Sequence, residues 1–531
     1  MTASFLFYDL ETFGTDPRTT RIAQFGAIRT DADLNEIDEP ISFFVKPADD
    51  LLPSPIATLI TGIAPQAALR DGMSEAEAFS RIFDEMARPE TCSVGYNSLR
   101  FDDEFVRHGL FRNFHDAYER EWRGGNSRWD LLDVMRLAHA LRPEGIVWPK
   151  RDAHGCASAA GAGRAGAADA HGCASAAGGR SRHPASHDTS ASLHVAGRAG
   201  AAEDGATSFK LEHLAEANGV RTGDAHEALS DVRALIGLGR KLKAAQPKLW
   251  AYALKLRDKR FTASLLDVVA MTPVLHVSQR FPANRLCAAP ILPLARHPHI
   301  DSRVLVFDLG QDPDALLRLE ADEIAARLYT PAADLPEGVT RIALKEVHLN
   351  KCPALIAWDH LRAPDLLRLN IDLAETERRA SMIREAGPTL VEKVRRVFSA
   401  ERSRVPGDVD ASLYDGFVGD GDKRLFRDVR TTSPAALGAR TFAFKDPRLQ
   451  ELLFRYRARN WPATLAIDEQ ARWDEYRRRR LRGEAGLSEY SFERFHAELS
   501  ALRTLHADDG AKLALLDQLD AWARGIDASL T

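Results

Sequence analysis

The sequence predicts an α/β protein built from about three domains. Two observations carry this. At 531 residues the chain exceeds what one hydrophobic core supports, and length alone implies roughly three units. Over about residues 1–150, strand-like and helix-like patterns follow one another, as in folds that wrap helices around a sheet. The composition, 45% hydrophobic and 28% charged, is that of a soluble globular protein. A net charge of −5 gives no global basic field. It leaves nucleic acid open as a partner, because acids gathered at a metal site can mask a local basic groove. No apolar run approaches the length of a membrane span and no basic leader precedes the first strand, so membrane insertion and secretion are not expected. Five scattered cysteines without zinc spacing fit free thiols in a reducing cytoplasm.

The first strand, Phe5 to Gly14, carries Asp9 and Glu11 near its end. Two residues apart on a strand, they share a face. Paired acids on an apolar strand repel unless something positive sits between them, and a divalent cation is the usual answer. Alone, the pair also fits a polar strand end. Thr20–Thr30 and Ile41–Val45 complete an antiparallel meander. Ser74–Met86 reads as a helix with a Ser74/Glu77 capping box. The apolar strand Cys92–Tyr96 then runs into a helical pattern, which puts Asp102 in a first turn at the sheet's carboxyl ends. The helix dipole would also favour an acid there, and that is the reading for Asp103 and Glu104.

Between Phe111 and Arg142, aromatics and arginines interleave. Such a mixture suits stacked bases and phosphates, or a helix with one core face and one solvated face. Arg136 and Arg142 stay open to either. Residues 152–206 differ in kind. Asp152-Ala-His-Gly-Cys recurs as Asp169-Ala-His-Gly-Cys, a period of 17 residues. The stretch has few large apolar groups and is expected to be a disordered surface insert in the first domain. The duplication itself accounts for the paired His154/Cys156 and His171/Cys173. A helix follows over Ser208–Gly219. The next begins near Asp224, with Glu227 completing a capping box and His226 in its first turn, where the dipole favours neutral imidazole. Asp231 lies a turn and a half on.

Together these are Asp-x-Glu on a first strand, Asp after an Asn-x-x-x-Phe turn, and His-x-x-x-x-Asp on a late helix. In this order they resemble the DEDDh 3′→5′ exonuclease superfamily with its ribonuclease-H-like fold. Longer blocks are similar to bacterial exodeoxyribonuclease I: Phe-Tyr-Asp9-Leu-Glu-Thr-Phe-Gly, Gly95-Tyr-Asn-Ser-Leu-Arg-Phe-Asp-Asp-Glu, Asn126-Ser-Arg-Trp-Asp-Leu-Leu-Asp, His348-Leu-Asn-Lys-Cys-Pro, Leu413-Tyr-Asp-Gly-Phe and Phe454-Arg-Tyr-Arg-Ala-Arg-Asn. The insert is the main departure.

The resemblance implies three parts. These are an exonuclease domain at 1–247 (a mixed sheet flanked by helices), an SH3-like α+β domain at 248–398, and a mostly helical domain at 399–531. Strands are expected at Val274–Val277, Val304–Asp308 and Arg341–Leu349. Arg455, Arg457 and Arg459 are read as a basic face, and Arg477–Arg480 as a solvated helix face. Asp9, Glu11, Asp102 and Asp231 would hold two Mg²⁺ ions, with Mn²⁺ able to substitute, and His226 would take the proton of the attacking water. Single-stranded DNA would be cut from its 3′ end to 5′-mononucleotides, in repair and recombination. By the same resemblance Arg107, Tyr118, Trp122, Arg136, Arg142, Phe209 and Lys210 would contact the strand. So would Lys345, His348, Arg384, Asp410 and Tyr414. A pocket at Arg142, Tyr252 and Arg362 would take the acidic tail of single-stranded-DNA-binding protein; Thr272 replaces a lysine of the family there. A cytoplasmic monomer is expected. An RNA-directed relative and a catalytically silent DNA-binding protein are the competing classes. The long chain beyond the first domain argues against the former, and the complete ligand set against the latter.

Overall fold

The computed structural model describes residues 4–151, 157–158, 205–223, 226–399, 407–484 and 486–530. The reading of the 152–206 insert and the Asp224 end of the expected capping box therefore fall outside the described residues, apart from the insert's 157–158 and 205–206.

The first sheet is mixed. Strands β1 (Ser4–Thr12), β2 (Ile22–Thr30), β3 (Ile41–Phe44), β4 (Thr91–Gly95) and β5 (Ser127–Asp130) lie in the order β3-β2-β1-β4-β5. β1, β2 and β3 form the expected antiparallel meander, while β4 and β5 run parallel to β1. Alternation along β1 divides the core in two. Leu6, Tyr8 and Leu10 pack with Phe25, Phe79 and Phe105 on one face. Phe5 and Phe7 pack with Trp129, Leu214 and Val232 on the other. Asp9 and Glu11 continue the Phe5/Phe7 face.

Helix α1 (Glu75–Met86) starts at Ser74, whose hydroxyl accepts from the Glu77 amide, as its sequence predicts. Helix α2 (Asp102–Arg112) follows β4, and α3 (Leu131–Leu141) follows β5. Helix α4 is Leu211–Ala217, and α5 (Ala228–Ala245) lies across β1 and β2. The flanks of the insert pair with each other. The Arg151 amide donates to Ala206 O at 2.9 Å, and Lys150 bridges Thr207 antiparallel.

The second sheet has five strands where three were expected. β6 (Val274–Val277), β7 (Ala288–Arg296), β8 (Arg303–Asp308), β9 (Leu344–His348) and β10 (Ala354–Ala357) are all antiparallel, in the order β9-β8-β7-β6-β10. β7 is central yet carries Pro290 and Pro293, residues that normally mark edges. The register slips so that Leu305 faces Ala295 and Val306 faces Pro293. The missing proline donor is thus absorbed in a bulge at Leu294. Trp129 meets Trp250 edge-on at 4.8 Å, and one apolar cluster joins the two sheets.

The last part is helical, including α6 (Arg448–Asn460), α7 (Ile467–Leu481), α8 (Phe492–Leu505) and α9 (Gly510–Ser529). Its arginines correct the sequence reading. Arg455, Arg457 and Arg459 form no basic face: their side chains are buried, on Asp408 (2.6 Å), Glu469 (2.6 Å), and Asp50 (2.8 Å) with Asp410 (2.5 Å), respectively. Of Arg477–Arg480, Arg478 and Arg479 face solvent, but Arg477 and Arg480 point inward. Arg480 donates to the carbonyls of Thr19, Asp50 and Leu487. The pattern reflects helix spacing, since residues three apart share a face. Among the described residues, no helix is long and apolar enough to cross a membrane.

Candidate active site

Each acid reaches the site for a local reason. Asp9 and Glu11 sit at the end of β1, where the register slips after Glu11. Asp102 opens α2 after a tight turn in which Asn97 adopts φ +65°. Asp130 holds that turn: its carboxylate accepts from the amides of Asn97 (2.8 Å), Leu99 (3.3 Å) and Leu132 (3.0 Å). Burial, then neighbouring Asp133, push Asp130 up to about 6. Asp231 is brought over β1 by α5. Gly26, opposite Asp9 in the register, permits this, because a Cβ there would lie 2.7 Å from the Ala228 Cβ.

The four carboxylates share one electrostatic field. Burial raises Asp9 well above the usual carboxylate range, and Asp102, Glu11 and Asp231 raise it further. Burial, Asp231 and Asp102 lift Glu11 to about 9. Asp102 is also raised, first by burial and then by Asp103. Mutual repulsion of this kind is what a multivalent cation relieves. The donors are hard oxygens, and ligand atoms of Glu11, His226 and Asp231 lie within 4.8 Å of one another. The residues present fit a divalent metal.

His226 departs from expectation. It lies two residues before α5 at φ +63°, and the helix is capped by Glu227, whose carboxylate accepts from Leu229 and Ser230. A carboxylate that accepts from two first-turn amides is itself a complete cap, so the helix begins after His226. The imidazole is therefore not oriented by the helix dipole. Its Nε2 is 3.5 Å from Glu212 Oε2, while its amide donates to Asp231 Oδ2 at 3.3 Å. The hydrogen bond from His226 holds Glu212 down to about 2. Arg221 pairs with Asp231 Oδ1. Glu212, Arg221 and Asp130 were not singled out from sequence. Glu212 and Asp130 stand inside blocks that were, and Arg221 carries no signal of its own.

Asp103 proves to be more than a dipole acid. It is buried between Arg120 (2.5 Å), Arg128 (2.7 Å) and the Tyr8 hydroxyl (2.8 Å). Burial would raise it, but the two guanidiniums hold it well below the usual range.

The expected strand contacts are spread across all three parts of the chain. Trp122 is 67% exposed. Tyr118 lies under Arg107 at 5.4 Å, and Phe209 under Arg136 at 5.7 Å. Arg107 grips Glu121 with its fork, and Arg136 bonds Asp133 at 2.9 Å. Lys210 is exposed beside Glu212. Lys345 lies 4.1 Å over the Phe281 ring and is pushed down to about 7 by burial, as His348 is to about 3. Arg384 donates to Met271 O, and Tyr414 to Glu104. Asp410 is 1% exposed inside its arginine cage. Arg142 and Arg362 converge on Asp365, at 2.6 and 3.0 Å. Tyr252 stacks edge-on against His360 at 5.8 Å.

A mixed sheet with acids at the end of its first strand, on the helix after β4 and on a late covering helix has the arrangement of an exonuclease-type hydrolase. Family models agree: one described as "Exonuclease" matches residues 6–196. An exonuclease I SH3-like domain matches 257–400, and an exonuclease I C-terminal domain matches 407–526. Exodeoxyribonuclease I of Escherichia coli (strain K12) is 40% identical over 525 residues, covering 99% of this chain and 98% of that protein. The Haemophilus influenzae protein of the same name is 39% identical, covering 97% of each. Among solved structures, exonuclease I from Methylocaldum szegediense superposes with a TM-score of 0.85 at 43% identity, covering 99% of each chain. E. coli exonuclease I in complex with a dA16 oligonucleotide gives 0.85 at 40%, covering 99% of this chain and 100% of that one. The chain belongs to the exodeoxyribonuclease I family.

Proposed function

We propose that this enzyme degrades single-stranded DNA from its 3′ end to 5′-mononucleotides, in the cytoplasm, serving DNA repair and recombination. The observation that carries the reading is the convergence of Asp9, Glu11, Asp102 and Asp231 beside His226. Similar support comes from E. coli exonuclease I, crystallised with dA16. Asp9, Glu11, Asp102 and Asp231 would hold Mg²⁺, or Mn²⁺ in its place. When bound, the ions supply Lewis-acid polarisation of the scissile phosphate and charge for the leaving oxygen. His226 accepts the proton of the attacking water, and Glu212 orients its imidazole. The three parts, 1–247, 248–398 and 399–531, act as one body on the strand. Arg107, Tyr118, Trp122, Arg136, Arg142, Phe209, Lys210, Lys345, His348, Arg384, Asp410 and Tyr414 line its path. The protein works as a monomer, and Arg142, Tyr252 and Arg362 receive the carboxylate-rich tail of single-stranded-DNA-binding protein.

The test uses matched 5′-labelled single-stranded DNA, duplex DNA and RNA with Mg²⁺, and with EDTA as control. A ladder shrinking only for single-stranded DNA, and only with metal, is expected. RNA cleavage, or tight binding without turnover, would refute the reading.

A further inference from the structure

Away from the four metal-site acids, one carboxylate stands where all three parts of the chain meet. Glu104, in the first turn of α2, faces three donors from three regions. Its Oε1 lies 3.1 Å from Arg107 Nη1 and 3.7 Å from Lys351 Nζ, which follows β9 of the second sheet. Its Oε2 accepts from the hydroxyl of Tyr414, in the 3₁₀ turn Val409–Tyr414 that opens the helical part. Arg107 Nη1 is also 3.2 Å from that hydroxyl. A guanidinium, an ammonium and a phenol aimed at one point form a cage for an oxyanion. The cage is rimmed by aromatics: Tyr118 lies under Arg107, Phe417 meets Tyr118 edge-on at 5.9 Å, and Phe417 and Trp122 are 87% and 67% exposed.

The second acid here differs in kind. Glu121 is tied to Arg107 by two bonds (2.7 and 2.9 Å), to Arg128 at 2.9 Å, and lies near Arg120 at 3.8 Å. It neutralises a cluster of three arginines and cannot leave without stranding them. Glu104 has the more exposed side chain, 18% against 10%, and solvent lies within its reach. A phosphodiester oxygen carries the same charge and accepts the same hydrogen bonds.

We propose that Glu104 is an internal stand-in for a DNA phosphate. Its carboxylate keeps Arg107, Lys351 and Tyr414 together, and a phosphate of the entering strand displaces it to take the same three donors. The inference rests on the reading of the enzyme as a single-strand nuclease. Because Glu104 is two residues from Asp102, strand arrival at this cage is felt on the helical turn that carries a metal-site acid. Glu104 is a positioning residue and touches no reacting atom.

The experiment is fluorescence anisotropy of a 5′-labelled oligothymidylate with the full chain in EDTA, across a series of salt concentrations, for wild type and Glu104→Gln. Removing the competitor should tighten binding about tenfold, the worth of one charge-assisted hydrogen bond. The slope of log K against log salt should stay close to that of the wild type, because the same phosphate is neutralised in both proteins. Unchanged or weaker binding, in a variant that keeps the wild-type thermal midpoint, would overturn the proposal. Should the midpoint fall, a structure of wild-type protein with the same oligonucleotide decides. A phosphate oxygen on Arg107 and Lys351 with Glu104 turned away supports it, and Glu104 still on Tyr414 overturns it. Failure of the wild type to bind the oligonucleotide would instead sink the nuclease reading.

Discussion

Gly26→Ala tests whether the close approach of α5 to the sheet sets the geometry of the active site. Gly26 pairs with Asp9 across β1 and β2. An added Cβ would meet Ala228 Cβ at 2.7 Å, Ala228 C at 2.8 Å and the Leu229 amide at 3.0 Å. Ordinary contact needs about 3.5–4.0 Å, so the start of α5 must retreat by roughly 1 Å. Two of the three obstructing atoms are backbone, which cannot rotate away. Asp231 sits one turn further along α5 and is carried off β1 with it. Overpacking of this kind costs about 1–3 kcal/mol, and a misplacement of about 1 Å can cost roughly a hundredfold in rate. The assay is kcat and KM on a labelled oligonucleotide alongside a thermal midpoint. A fall of about two orders in kcat, with KM little changed and a modestly lowered midpoint, is expected. Adding Ala228→Gly removes the Cβ clash but leaves the backbone one, so rescue should be partial. Full activity of Gly26→Ala would refute the claim that this contact positions Asp231.

Asp9→Ala, Asp102→Ala and Asp231→Ala should each abolish cleavage while a melt shows an intact fold, and His226→Ala should lose several orders in rate yet keep single-strand binding by anisotropy; full activity of Asp231→Ala would sink the site assignment. Burial pushes His108 and His115 down to about 3, so both are neutral when folded, and the unfolded chain gains their protons below about pH 6.5. Stability is then complete above that pH and falls by about 1.4 kcal/mol per pH unit for each histidine as pH drops towards 3; midpoints taken between pH 7.5 and 4.5 should fall less steeply for His108→Gln. Burial alone would raise Asp50, but Arg459, Arg480 and Arg21 hold it well below the carboxylate range. Asp50→Asn leaves these guanidiniums short of charge and should cost about 3–5 kcal/mol in denaturant melts.

What was legible in the sequence was local. Two-residue alternation put Asp9 and Glu11 on one face of β1, and the Ser74 cap and the helical turn at Asp102 follow from spacing and side-chain chemistry. What was not legible depends on partners distant in sequence. Arg455, Arg459 and Arg480 look solvated until Asp50 and Asp410 arrive from elsewhere in the chain. β7 hides behind two prolines because its bulge depends on the neighbouring strand. His226 was placed inside a helix because Asp224 with Glu227 fits a capping box, whereas Glu227 is itself the cap and the helix starts at Ala228. Asp103 read as an acid favoured by the helix dipole because Arg120 and Arg128 lie 17 and 25 residues away.

The paired flanks of the insert have a practical consequence. Arg151 and Ala206 are hydrogen-bonded to each other, so the two flanks of the insert lie side by side. That makes the seam a socket. A compact reporter domain whose own termini lie side by side could be spliced between Arg151 and Gly205 without pulling on either strand. Thr207, just past the seam, is 3.0 Å from the His139 ring, which meets Phe209 edge-on at 5.3 Å. A fluorophore carried in the socket would therefore sit beside the proposed strand path and read out DNA arrival from outside the catalytic machinery.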